Sequence, residues 1–167
     1  MATEGCGNME YFIVVFVKEN MSYYCIWISS NDDRFLTFDG NIVFWKSLSE
    51  LMNYCEQENI ILDSEEITEY NLDDINKWCN SNDMMVDCND IINYWNIFSD
   101  ASKSINQSFS GDIAKMNSIY EKLFYGNNLS SINLPEKSYE PIFSDEEVAT
   151  IKSILQEGIN FVKVELQ

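Results

Sequence analysis

The 167-residue chain contains no histidine and a single arginine, Arg34. Imidazole is the commonest general base, nucleophile activator and transition-metal ligand, so any catalysis here would rest on carboxylates, cysteine, lysine or Arg34. The five cysteines (Cys6, Cys25, Cys55, Cys79, Cys88) form no Cys-x-x-Cys pair and have no histidine with which to complete a mixed zinc site. They read as reduced, mostly buried thiols of a cytosolic protein. All but Cys6 lie in apolar or acidic surroundings that raise a thiol pKa, the opposite of what a nucleophile needs. Also missing are the glycine loops that cradle phosphates and the nucleophile elbow of acyl-transfer enzymes. Asp83, Asp87, Asn89 and Asp90 cluster, but without the spacing of a calcium loop. No cofactor and no metal is expected. There is no internal repeat, no low-complexity segment and no signal-peptide pattern, and the apolar run Tyr11 to Val17 is too short to span a bilayer. The expected location is cytoplasmic.

Acid is present in excess. The formal charge is −18, and the pI near 4.1 argues against attraction to nucleic acid or to an anionic membrane. The excess is uneven: Glu56 to Asp90 holds eleven acids against the single base Lys77, a balance of −10, while the other 17 acids and 9 bases leave −8. Apolar residues continue through this stretch (Ile60, Ile61, Leu62, Ile67, Leu72, Ile75, Trp78), which argues for a folded acidic face over a solvated tail. Such a face suits a cationic partner or serves only as a solubilising coat.

A chain of this length and hydrophobicity (46%) supports one cored domain. Residues 1–9 are patternless and read as a disordered tail before a single α+β domain over 10–167. Four strands are expected in succession: Tyr11–Val17, Ser22–Ser30, Arg34–Phe38 and Asn41–Trp45, an antiparallel meander over 10–45. Asp39-Gly40 between the last two is a strong hairpin signal, since both residues of such a turn need positive φ. About five helices follow over 47–167. Ser47 and Glu50 form a capping box before the stripe Leu48, Leu51, Met52, Cys55. A loop or short edge strand is expected near Asn59–Asp63, then helices from about Asn71, over Asp87–Lys103, after Gly111-Asp112 up to a Gly126-Asn127 cap, and from the capping box Ser144–Glu147. Residues 128–143, with both prolines, read as a long loop, and the stretch after Gly158 is compatible with a helical turn or a strand. Strands first and helices afterwards make an α+β class.

The densest carboxylate group that includes an aromatic is Glu65, Glu66, Glu69, Tyr70, Asp73 and Asp74, and these six are the candidate partner-binding residues. Tyr70, Tyr125 and Tyr139 lie off the helical stripes and are candidates to face solvent or a partner. The pairs Asp32-Asp33, Glu65-Glu66 and Asp73-Asp74 would suit acid and base roles in a hydrolase, but turn residues and helix N-termini explain each.

The segment Tyr23-Tyr-Cys-Ile-Trp-Ile through Phe35-Leu-Thr-Phe-Asp-Gly-Asn-Ile-Val-Phe-Trp45, followed by Lys-Ser-Leu-Ser-Glu-Leu-Met-Asn-Tyr54, resembles the sheet-then-helix opening of bacterial immunity proteins. Those proteins neutralise toxins of contact-dependent growth inhibition and related polymorphic toxin systems. The resemblance covers about Met9 to Ile60 and is one of layout and composition. It implies a small, non-catalytic protein that binds a cognate basic toxin domain, often a nuclease, and blocks it. An acidic DNA-mimic inhibitor and a carboxylate-dependent hydrolase are the other readings.

Overall fold

A computed structural model describes residues 8–129 and 138–167. Residues 1–7 of the expected tail, and the middle of the 128–143 loop with Pro135, lie outside the described residues. The order is β1 (Glu10–Lys18), β2 (Met21–Ser29), β3 (Arg34–Phe35), β4 (Thr37–Phe38), β5 (Asn41–Ile42), α1 (Leu48–Gln57), β6 (Ile67–Asn71), α2 (Leu72–Cys79), α3 (Cys88–Ser104), α4 (Asn117–Gly126) and α5 (Asp145–Glu165). The class is α+β, as the order of sequence signals implies.

β1 and β2 form a hairpin closed by Lys18 and Met21. The two residues between them, Glu19 and Asn20, have φ of 53° and 61°, the left-handed pair that a two-residue turn requires. Asp39 and Gly40 adopt the same geometry (53° and 80°), so the expected β4–β5 turn is present. The sheet is nevertheless no simple meander. Its order is β3-β2-β1-β6, and β6 runs parallel to β1, with Ile13 opposite Ile67 and Val17 opposite Asn71. The strand suspected near Asn59–Asp63 thus lies farther along, inside the acidic stretch. The third expected strand breaks at Leu36, whose N–H bonds Ile26 and whose C=O accepts from Val43, leaving β4 and β5 as a separate two-stranded ribbon.

Alternation along β1 explains its unbroken apolar text. Ile13 and the facing Ile26 and Ile28 of β2 pack with Leu51 and Cys55 of α1 on one side of the sheet. Val14, Phe16 and Cys25 join the larger core built with α2 to α5 on the other. With both faces covered, no polar residue is tolerated between Phe12 and Val17. Ser47 caps α1 by accepting from the Glu50 N–H (3.2 Å), and the Ser144–Glu147 capping box of α5 is complete. Two short 3-10 turns occupy Ser110–Met116, so α4 begins later than Gly111-Asp112 suggests.

α5 is the longest helix and passes straight through Gly158, which resolves the end of the chain as helix to Glu165. The passage depends on Gly158 having no side chain. A Cβ there would fall inside the van der Waals radius of the Phe98 ring on α3, which is itself fully buried. Gly158→Ala is therefore expected to lower stability in urea unfolding by about 1–3 kcal/mol, although alanine is the better helix former. A gain in stability would show that α3 and α5 are not packed this closely.

Candidate acidic edge and its two flanking hollows

The acidic stretch is fixed to the sheet at its entry. Asp63 accepts from the Tyr11 N–H (2.7 Å) and donates its own N–H to the Tyr11 carbonyl (2.9 Å), which aligns the following residues to run beside β1. The chain then forms β6, turns at Asn71, whose side chain accepts from the Asp74 N–H (3.0 Å), and enters α2. β6 is an outer strand of the sheet, so the carboxylates around it are delivered to an edge.

The six candidate residues do not form one patch. Glu65, Glu66 and Glu69 are exposed at and just before β6. Glu65 borders a groove between α1 and β6, whereas Glu66 borders a cavity between the sheet and α3, so the sheet edge separates the two adjacent carboxylates. Asp73 is occupied structurally: its carboxylate accepts from the N–H groups of Glu19 (2.9 Å) and Asn20 (3.2 Å), the two left-handed residues of the β1–β2 turn. Asp74 borders a third hollow, between α2 and α3, shared with Asp83, Asp87 and Asp90. Tyr70 is not the solvent-facing aromatic expected from its position off the stripes. It faces the core side of the sheet, 5.7 Å from the Phe16 ring and 5.5 Å from Tyr94, and burial, then the nearby Asp100 and Cys25, push its hydroxyl up to about 12. Tyr125 and Tyr139 are partly exposed.

The cavity between sheet and α3 encloses about 330 Å³ and brings together Glu66, Tyr70, Asn93, Asn96, Trp27 and Asp100. Asp100 is the residue that sequence reasoning missed. It accepts from Trp27 Nε1 (2.9 Å), and burial raises its carboxyl to about 6, with Trp27 opposing the shift and Asp33 adding to it. The sequence carried no clear signal for it: two residues after Phe98, Asp100 falls off the apolar stripe of α3 and reads as a solvent-facing acid. Chemically the cavity is an aromatic-walled, acidic recess, with one carboxyl held above the ordinary carboxylate range. In the α2–α3 hollow, Asp90 is also raised, by burial, then by Asp87 and Asp74. Lys152 reaches that region but bonds the carbonyls of Ser81 (2.9 Å) and Asp83 (2.7 Å) and sits over the Trp78 ring. Among the described residues the one ion pair, Lys122–Glu147 at 2.9 Å, involves none of these acids, and no group of acids and cysteines has the geometry to hold a metal. Cys25, Cys55 and Cys79 are buried and free, and burial pushes each thiol up.

Two outcomes test these assignments. Asp73→Ala is expected to cost about 1–2 kcal/mol in chemical denaturation, because two turn N–H groups lose a charged acceptor; an unchanged midpoint would free Asp73 for a partner role. For Asp100 the folded pKa lies above the ordinary carboxylate value. Ionisation therefore penalises the fold, with no effect well below pH 4, a penalty that grows between the ordinary carboxylate pKa and about 6, and a constant one above that. Asp100→Asn keeps an acceptor for Trp27 and should stabilise at pH 7 by about 1–2 kcal/mol after allowance for partial solvent screening. The gain should vanish near about pH 4, as melts across pH would show; an equal difference at every pH would contradict the buried carboxylate. No protein-family profile, no curated protein and no solved structure matches the chain.

Proposed function

We propose that the chain is a non-catalytic immunity protein that binds a cognate basic toxin domain, of the kind found in contact-dependent growth inhibition and other polymorphic toxin systems, and blocks its active or substrate-binding surface. The observation that carries the reading is the unneutralised acid at the β6 edge: Glu65, Glu66 and Glu69 are exposed there, Asp74, Asp83, Asp87 and Asp90 continue the charge across α2 and α3, and among the described residues none of the seven has an ion-pair partner. A surface held in this state is complementary to the Lys and Arg that a nuclease uses to grip phosphate. It would speed encounter and weaken with salt, while a few desolvated charge pairs and aromatic contacts would set the affinity. The partner is a protein, with no nucleic acid and no membrane involved. Among the described residues no helix is long and apolar enough to cross a bilayer.

An immunity gene lies directly downstream of its toxin, so the test begins with the C-terminal domain encoded immediately upstream. Co-expression of this chain should restore growth to cells making that domain. The combined variant Glu65→Gln, Glu66→Gln, Glu69→Gln and Asp74→Asn, which leaves Asp73 in its turn, should fold normally and associate at least about tenfold more slowly at low salt. Association as fast as that of the parent, with full protection, would rule out the acidic surface as the interface. Hydrolysis of a substrate by the purified chain, with the Asp100 cavity as the obvious place for it, would rule out the immunity reading itself.

A further inference from the structure

The backbone of β6 is half paired, and the register shows which half. A two-residue hairpin closed by Lys18 and Met21 makes that pair hydrogen-bonded, so the even residues of β1 direct their N–H and C=O groups to β2 and the odd ones to β6. Tyr11, an odd residue, exchanges bonds with Asp63 on that side, in agreement. In the parallel ladder Thr68 and Tyr70 then direct both backbone groups to β1, while Ile67, Glu69 and Asn71 direct theirs outward. The Tyr94 hydroxyl satisfies Asn71, accepting from its N–H and donating to its carbonyl, both at 3.0 Å. Among the described residues nothing bonds the outward N–H and C=O of Ile67 and Glu69. This edge lies between two hollows. On the α1 side is a groove of about 620 Å³ with Ile67, Met52, Leu62 and Glu65 on its walls; on the α3 side is the smaller cavity containing Glu66, Tyr70 and Asp100.

We infer that β6 accepts an added β-strand from the basic partner: an extended segment alternating apolar residues with Lys or Arg, its apolar side chains entering the α1 groove and its cationic ones the Glu66–Asp100 cavity. This rests on the basic-partner reading above and specifies how that partner is held. Side chains of an added strand alternate between the two faces of the sheet, and here those faces present an apolar groove, with Met52 and Ile67 left 45% and 38% exposed, and an acidic, aromatic recess. Backbone bonds to Ile67 and Glu69 would supply the pairing and the two hollows the selectivity. Charge decides against a second copy as the occupant, since edge-to-edge pairing would set Glu65, Glu66 and Glu69 against their own equivalents.

The probe is an acetylated, amidated octapeptide alternating isoleucine and lysine, added to isotopically labelled full-length protein, with hydrogen exchange followed amide by amide. Exchange at Ile67 and Glu69 should slow by about tenfold or more. Of two N-methylated versions, one methylated at every isoleucine and one at every lysine, a single version should lose this protection, because only alternate amides of an added strand face β6. A block peptide of equal composition should not protect these amides. If alternating and block peptides bind alike, weaken with salt and leave Ile67 and Glu69 unprotected, strand addition is overturned while the basic-partner reading stands. If no peptide binds, strand addition is overturned too, and the growth-rescue experiment judges the first reading separately.

Discussion

Everything in this fold refers back to β1, a strand buried on both faces and paired on both edges. Phe16 is fully buried against Phe35, Phe44 and Tyr70, and Ile13 is equally buried on the opposite side. Such a strand needs a neighbour along each edge to satisfy its backbone. β2 supplies one through the hairpin. The other must come from later in the chain, after α1 has crossed the face containing Ile13, and β6 fills that position in parallel. The acidic stretch is therefore at the sheet edge because β1 requires a second neighbour, and its carboxylates are exposed because an outer strand leaves them no other place.

Much of this was readable from the residues. The hydrophobic text of β1 and β2, the Asp39-Gly40 turn and the helix start signals Asn71, Asp87 and Ser144 each correspond to a local rule, and each appears in the structure. What was not readable is β6. Ile67-Thr-Glu-Tyr-Asn71 is short and mostly exposed, and its place depends on pairing with residues more than fifty positions earlier. For the same reason Tyr70 looked free: off any helical stripe, it is in fact the inward member of a period-two alternation. Asp73 shows a related limit. Its acid-rich context suggested a partner surface, yet its partners are the N–H groups of the β1–β2 turn, brought near only by the sheet. Glu65, Glu66 and Glu69 were correctly read as exposed, and the division of Glu65 from Glu66 by the sheet edge could come only from the fold.

The electrostatics and the topology meet at the same place. Carboxylates on an outer strand discourage copies of the chain from pairing edge to edge, a general protection for exposed strands. The protection is selective, because a cationic strand feels attraction where a second acidic copy feels repulsion. Asp100, held by Trp27 and raised to about 6, adds a group at the floor of the recess whose charge depends on what occupies it: a cation drawn in beside it would favour the ionised form.

The most direct measurement is the hydrogen-exchange footprint that the proposed partner, the basic domain encoded immediately upstream, leaves on the full chain. Protection is expected to concentrate in residues 63–71, strongest at Ile67 and Glu69, and to extend to the α2–α3 hollow around Asp74 and Asp90. Protection confined to α4 and α5, with the β6 edge exchanging as in the free protein, would contradict this placement of the interface.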